Sequence, residues 1–205
     1  MRVVLASKSP RRKEIMGWLG IDFEISPYTF DESDIKHKSP LKLTRLLAEA
    51  KADAVTSLYP DSIIIGSDTL VSFNNLILEK PLNKNHQRQL IHMQNGKEAK
   101  VYCTVCVINT STKQKVIKTK VTRYKMAKAS NNQIEQYIKS GQGMDKAGGY
   151  GNQDENNMFL DKLYGCYSNL MGFPACEVAT ILKSMGIPIN VNIKKLVNNK
   201  TGRKC

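Results

Sequence analysis

The chain has 205 residues, 41% of them hydrophobic, and a formal net charge of +13 at pH 7. That length suits one compact unit with its own core. No run approaches the roughly 18–20 consecutive apolar residues of a membrane helix, and residues 1–6 are too few for a signal-peptide core, so a cytosolic protein without a membrane segment is expected.

In chain order, VVLAS reads as a short buried strand and SPRRKEIMGWLG as a helix. Ser9 is its cap, Pro10 its first residue, Ile15, Trp18 and Leu19 its buried stripe, and Gly20 its stop. A second helix starts at Ser39 and Pro40, with Leu43, Leu46, Leu47, Ala50 and Ala54 on the face expected to be buried and Lys51 at its edge. SIIIGSDTLVSF is apolar and β-branched around a small polar centre, as a strand covered on both sides should be. A helix is expected from about Lys84 to Gln94. Residues 100–109 and 115–124 read as two strands joined by a polar turn, a hairpin. Ser130 and Gln133 have capping-box spacing ahead of Ile134, Tyr137 and Ile138, and Gly141 closes that helix. A glycine-rich loop over residues 141–153 and a strand-like FLDKLYG follow. A helix from near Pro174 then carries the stripe Val178, Ile181, Leu182 and Met185. Strands and helices interleave without a linker or repeat, which predicts an α/β fold in one domain over residues 1–189, with residues 190–205 as a frayed basic tail.

The positive charge is concentrated in residues 113–128, with seven Lys or Arg, and residues 190–205, with five; neither stretch contains an acid. No nucleic-acid-binding motif accompanies them, so both read as solvated surface. A regulator that binds nucleic acid or protein through the basic hairpin is the competing reading. Five cysteines, an odd number without close pairs, argue against a disulfide framework and for reduced thiols. The CxxC of Cys103 and Cys106 lies in a β-type run that turns the two to opposite faces, and only three histidines are present, so zinc is not expected there.

Four places have residues suited to chemistry. At the start of the first helix, Ser7, Ser9, Arg11 and Arg12 surround unpaired backbone N–H groups at a positive dipole end, a setting for an anion. Asp68 stands in the middle of an apolar strand, where a carboxylate is hydrogen-bonded in place or serves a metal or a water; Glu79 and Lys80 follow on the return of the same unit. The acidic stretch Asp31, Glu32 and Asp34 offers hard oxygen ligands, with Glu32 as the partner for Asp68. In the glycine-rich loop, Lys146 or Gln153 are placed to meet a phosphate or a base edge.

LASKSPRRKEI, GSDTLV, LEKP, KAGGYGNQD and GCYSNLMGFP stand in that order along the chain. Together they resemble the Maf family of nucleotide pyrophosphatases over residues from Val3 to about Gly186. The resemblance implies an α/β fold related to inosine triphosphate pyrophosphatases, with a central mixed sheet, flanking helices, a cleft between two lobes and often a homodimer. It implies hydrolysis of a nucleoside triphosphate to monophosphate and pyrophosphate with magnesium or manganese. Ser7, Arg11 and Arg12 would hold phosphates, Glu32 and Asp68 would serve the metal and the attacking water, Lys51 and Lys80 would offset developing charge, and Gln153 would contact substrate. Threonine after the central aspartate, here Thr69, goes with members acting on thymidine and uridine triphosphates. Asn152 and Asp154 replace the family's usual isoleucine and glycine beside Gln153.

Overall fold

The computed structural model describes residues 1–151 and 159–205. The chain opens with β1 (Arg2–Ala6), α1 (Pro10–Gly17), β2 (Glu24–Ile25) and α2 (Pro40–Asp53). It continues through β3 (Ser62–Phe73), β4 (Leu76–Leu78), α3 (Lys84–Gln94), β5 (Glu98–Asn109) and β6 (Lys115–Met126). It then runs through α4 (Asn131–Lys139), β7 (Leu160–Tyr164), α5 (Tyr167–Leu170), α6 (Ala175–Ser184) and α7 (Ile193–Thr201). The strands form one mixed sheet in the order β2-β1-β3-β5-β6-β7, with β4 added to β3. β1 runs parallel to β2 and β3, and the other pairs are antiparallel. The expected α/β class with a central mixed sheet and flanking helices is what the chain forms.

The two faces of the sheet are covered unequally. One is packed by α2 over Val4, Ile64, Cys106 and Ile108, while the larger core on the other includes Ile15, Ile65, Val105, Phe173 and Val178. The turn and cap residues act as the sequence predicts. Ser9 and Ser39 accept the backbone N–H groups of Arg12 and Lys42, and Ser130 and Gln133 form the reciprocal capping box.

Three expectations are corrected. The buried face of α2 is Thr44, Leu47, Ala48, Lys51 and Ala52, not the face through Leu43, Leu46 and Ala54; Leu46 is 44% exposed. The reason is close approach: a Cβ on Gly66 of β3 would come within 2.3 Å of Ala48 O and 2.8 Å of Ala52 Cβ, so the helix settles on its small residues and Lys51 goes inward with them. Residues 190–205 are not simply frayed. Asn192 caps α7, Ile193 and Val197 are buried, and Gly202 ends the helix at φ +66°. Composition hid this, because the lysines and asparagines outnumber an apolar stripe of normal helical spacing. Finally, Cys166 and Cys205, 39 residues apart, are joined as a disulfide, which the odd count and wide spacing gave no reason to expect. Cys103, Cys106 and Cys176 are free, and Cys103 and Cys106 lie on opposite faces as predicted.

Candidate active site

The site arises from how β3 shares one edge. Residues 62–66 pair with β1 and residues 71–73 pair with β4, so Ser67 to Leu70 have a ladder partner only on the β5 side. Asp68 and Thr69 sit in that notch. Side-chain alternation along a strand sends them to opposite faces, Asp68 toward α2 and Thr69 toward the start of α1 and the end of α5. A cleft of about 550 Å³ opens there, and its lining includes Ser7, Ser9, Arg11, Glu32, Lys80 and Lys146.

Asp68 and Lys51 are both buried, with Lys51 Nζ 2.6 Å from Asp68 Oδ1 and 2.7 Å from Glu32 Oε2. Glu32 comes from the short turn of helix at Glu32–Asp34, and its other oxygen accepts the Tyr28 hydroxyl. The Tyr28 ring also lies 5.2 Å from the Lys51 ammonium. Burial alone would raise the Glu32 pKa, but hydrogen bonds from Lys51 and Tyr28 and the nearby positive charges outweigh it and hold the carboxyl below its ordinary value. Burial works against the Lys51 charge, yet Asp68, against the repulsion of Arg12, keeps the ammonium above its ordinary pKa.

Asp68 Oδ2 is buried and has no hydrogen-bond partner among the described residues. An ionised carboxylate oxygen accepts and cannot donate, so this atom suits a cation or the proton of a water. Two carboxylates meeting on Lys51 beside the turn that carries Ser7 and Ser9 are the oxygen donors that magnesium or manganese accepts, and the residues present fit such an ion.

On the other face, Arg12 donates to Gly172 O at 3.2 Å and to Thr69 Oγ1 at 3.1 Å. Thr69 Oγ1 lies 3.1 Å from Gly172 O and 3.1 Å from Cys103 Sγ. Its single proton goes to the carbonyl, which leaves the Cys103 thiol to donate back. That hydroxyl therefore has its full complement of one donated and two accepted bonds. Ser7 is buried in the turn after β1, and its Oγ accepts the Ser9 N–H at 3.2 Å. Arg11 is half-buried in the cleft wall. Lys80 lies two residues past the end of β4 and is exposed at the rim, with Glu79 beside it. Gln153, with Asn152 and Asp154, lies outside the described residues.

Sequence reasoning missed Tyr28, Gly172 and a pair of glutamines. Gln87 and Gln94 of α3 are fully buried. Gln87 Nε2 donates to Gln142 O at 2.7 Å and Gly149 O at 2.9 Å, and Gln94 Nε2 donates to Gly148 O at 2.9 Å. They hold the loop that carries Asp145 and Lys146 into the cleft. The signal was present: Gln87, Leu90, Ile91 and Gln94 form the inward stripe of α3, and polar residues in such a stripe need buried partners. Tyr28 left no comparable trace.

Three of the seven basic side chains of the hairpin segment pair with acids of neighbouring elements. Lys115 pairs with Glu49 and Asp53, Lys120 with Glu177, Lys125 with Asp161, and Arg123 stacks over the Tyr164 ring. Among the described residues no helix is long and apolar enough to cross a membrane.

A helix start with serines and two arginines, facing a lysine-bridged pair of carboxylates across one cleft, is a setting suited to phosphoanhydride chemistry. The chain belongs to the Maf-like protein family, whose model matches residues 2–185. It is 36% identical over 187 residues to the dTTP/UTP pyrophosphatase of Desulforamulus reducens, covering 91% of this chain and 98% of that one. It is 37% identical to the dTTP/UTP pyrophosphatase of Deinococcus radiodurans, covering 91% of this chain and 94% of the relative. Among solved structures, the Ham1 protein of Staphylococcus aureus shares the fold with a TM-score of 0.51 at 10% identity, over 90% of this chain and all of that one.

Proposed function

We propose that this protein hydrolyses nucleoside triphosphates between the α and β phosphates, releasing the monophosphate and pyrophosphate in the cytoplasm. The substrates are dTTP, UTP or pyrimidine triphosphates modified at the base, in line with Thr69 and with the names of the relatives. The observation that carries the reading is the buried Lys51 held by Glu32 and Asp68, with Asp68 Oδ2 left to accept a proton.

In this mechanism the Ser7 hydroxyl, the N–H groups at the start of α1, and Arg11 and Arg12 hold the triphosphate against the notch in β3. A water attacks the α-phosphorus in line with the leaving pyrophosphate and gives its proton to Asp68 Oδ2. Lys51 orients Asp68 through the contact with its Oδ1, and Lys80 at the rim faces the charge on the departing pyrophosphate. Gln153 belongs to the substrate contacts in this reading. Magnesium or manganese, held by Asp68 and Glu32, would supply charge neutralisation on the phosphate oxygens and a more acidic water. Thr69 acts by bracing Arg12 and Gly172, since its hydroxyl has no bond left for a base. The homodimer belongs to this reading through the family resemblance alone.

The test is pyrophosphate release from a panel of canonical and modified triphosphates, with magnesium or manganese and without either, for the wild type and Asp68→Asn. Metal-dependent release from dTTP or UTP that disappears in a folded Asp68→Asn supports the proposal. Release only from purine nucleotides removes the pyrimidine assignment, and substantial activity in Asp68→Asn removes the role given to that residue.

A further inference from the structure

Three of the five cysteines converge outside the lining of the cleft. Cys166 caps α5, Cys176 lies in the first turn of α6, and Cys205 follows α7. Their sulfur atoms all lie within 4.8 Å of one another. Nothing in the hydrolytic mechanism uses them. Around a tetrahedral zinc ion, thiolates at about 2.3 Å from the metal stand roughly 3.8 Å apart; Cys166 and Cys205 reach that spacing only once their disulfide opens, while Cys176 Sγ already lies within 4.8 Å of both.

The surroundings resemble those of a metal site. Ser168 is fully buried and its Oγ accepts the Ala175 N–H at 3.3 Å, which directs the hydroxyl proton elsewhere. The atoms that remain in reach are Cys166 Sγ at 3.1 Å and Cys205 Sγ at 3.5 Å. A hydroxyl donor shared by two sulfurs is the kind of outer partner that orients thiolate ligands and tempers their charge. Cys176 also lines an open groove of about 500 Å³ between α6 and the segment leading into α7, with Lys183 and Lys194 on its walls, which gives an ion and a water ligand a way in.

We propose that Cys166, Cys176 and Cys205, when reduced, form a three-thiolate site for a thiophilic divalent cation of the zinc type, with water as the fourth ligand. The Cys166–Cys205 disulfide and the bound ion exclude each other, because both use the same two sulfurs. A dithiol reductant supplies two electrons to open the disulfide, is itself oxidised to a cyclic disulfide, and passes two protons to the sulfurs. The cation then displaces the three thiol protons to solvent.

The full chain is reduced with a dithiol, freed of the reductant without air, and titrated with cobalt(II) as a spectroscopic stand-in for zinc. The expected result is one cobalt per chain with a sulfur-to-cobalt charge-transfer band, displaced by zinc and absent from the oxidised protein. Each of Cys166→Ser, Cys176→Ser and Cys205→Ser should weaken binding by at least about tenfold, while Cys106→Ala, on the opposite side of the sheet, should not. Absence of the charge-transfer band in the reduced wild type overturns the site, as does wild-type affinity in Cys176→Ser, a half-exposed position where serine leaves the fold in place.

Discussion

Gly66→Ala tests whether packing, rather than charge, sets the position of Lys51. The added Cβ would stand 2.3 Å from Ala48 O, against about 3.4 Å for ordinary contact, so α2 has to retreat by about 1 Å. Overpacking of this kind costs about 1–3 kcal/mol. For a protein of this size that lowers the unfolding midpoint by roughly 2–12 °C. The same movement stretches the 2.6 Å contact between Lys51 and Asp68 to the limit of a hydrogen bond. Misplacement on that scale costs turnover on the order of 100-fold. Thermal unfolding followed by circular dichroism, with pyrophosphate release measured well below the midpoint, separates the two effects. Gly17→Ala serves as the control, since its Cβ meets nothing within 4 Å. An unchanged midpoint would refute the close approach of α2, and a lowered midpoint with wild-type turnover would refute the dependence of the site on it.

Thr69→Val removes a hydroxyl that accepts from Arg12 and donates to Gly172. Loss of a bond to a charged group, about 1.5–3 kcal/mol, should lower kcat/KM about 10- to 100-fold for every triphosphate alike, whereas Thr69→Ser stays near wild type; a change confined to one base would contradict the bracing role. Glu32 titrates below its ordinary 4.5, so the stability it adds is complete above that pH and is lost as pH falls through its lower folded value. Glu32→Gln should flatten that part of an acid-unfolding series, and an unchanged acid limb would count against the Lys51 and Tyr28 contacts. Because Lys115, Lys120 and Lys125 are already paired with acids, the basic hairpin should give no more than weak, salt-sensitive affinity for DNA or RNA in fluorescence anisotropy; tight binding at 150 mM salt would revive the nucleic-acid reading.

Much of the frame was legible because local rules and tertiary demands agree. The serine caps, the proline at the head of α1 and α2, and the glycine stops set the helix boundaries, and the apolar run around GSDT gave β3 its full length. The face of α2 was misjudged because the deciding contact, Gly66 against Ala48 and Ala52, joins residues whose proximity no helical period encodes. Asp68, Glu32 and Lys51 were each named from the sequence, but their meeting on a single ammonium depends on that same contact. The cysteine cluster draws on three segments and leaves no spacing signature. The stripe of α7 was there to be read, under a composition that suggested a solvated end.

Arg12 and Thr69 close on a carbonyl 160 and 103 residues further along the chain. During synthesis the turn that leads into α1 therefore leaves the ribosome long before the residue that stiffens it. Until α5 has emerged and docked, Arg12 and Thr69 lack the Gly172 carbonyl on which they meet, so the order of this turn rests on a contact that synthesis supplies late.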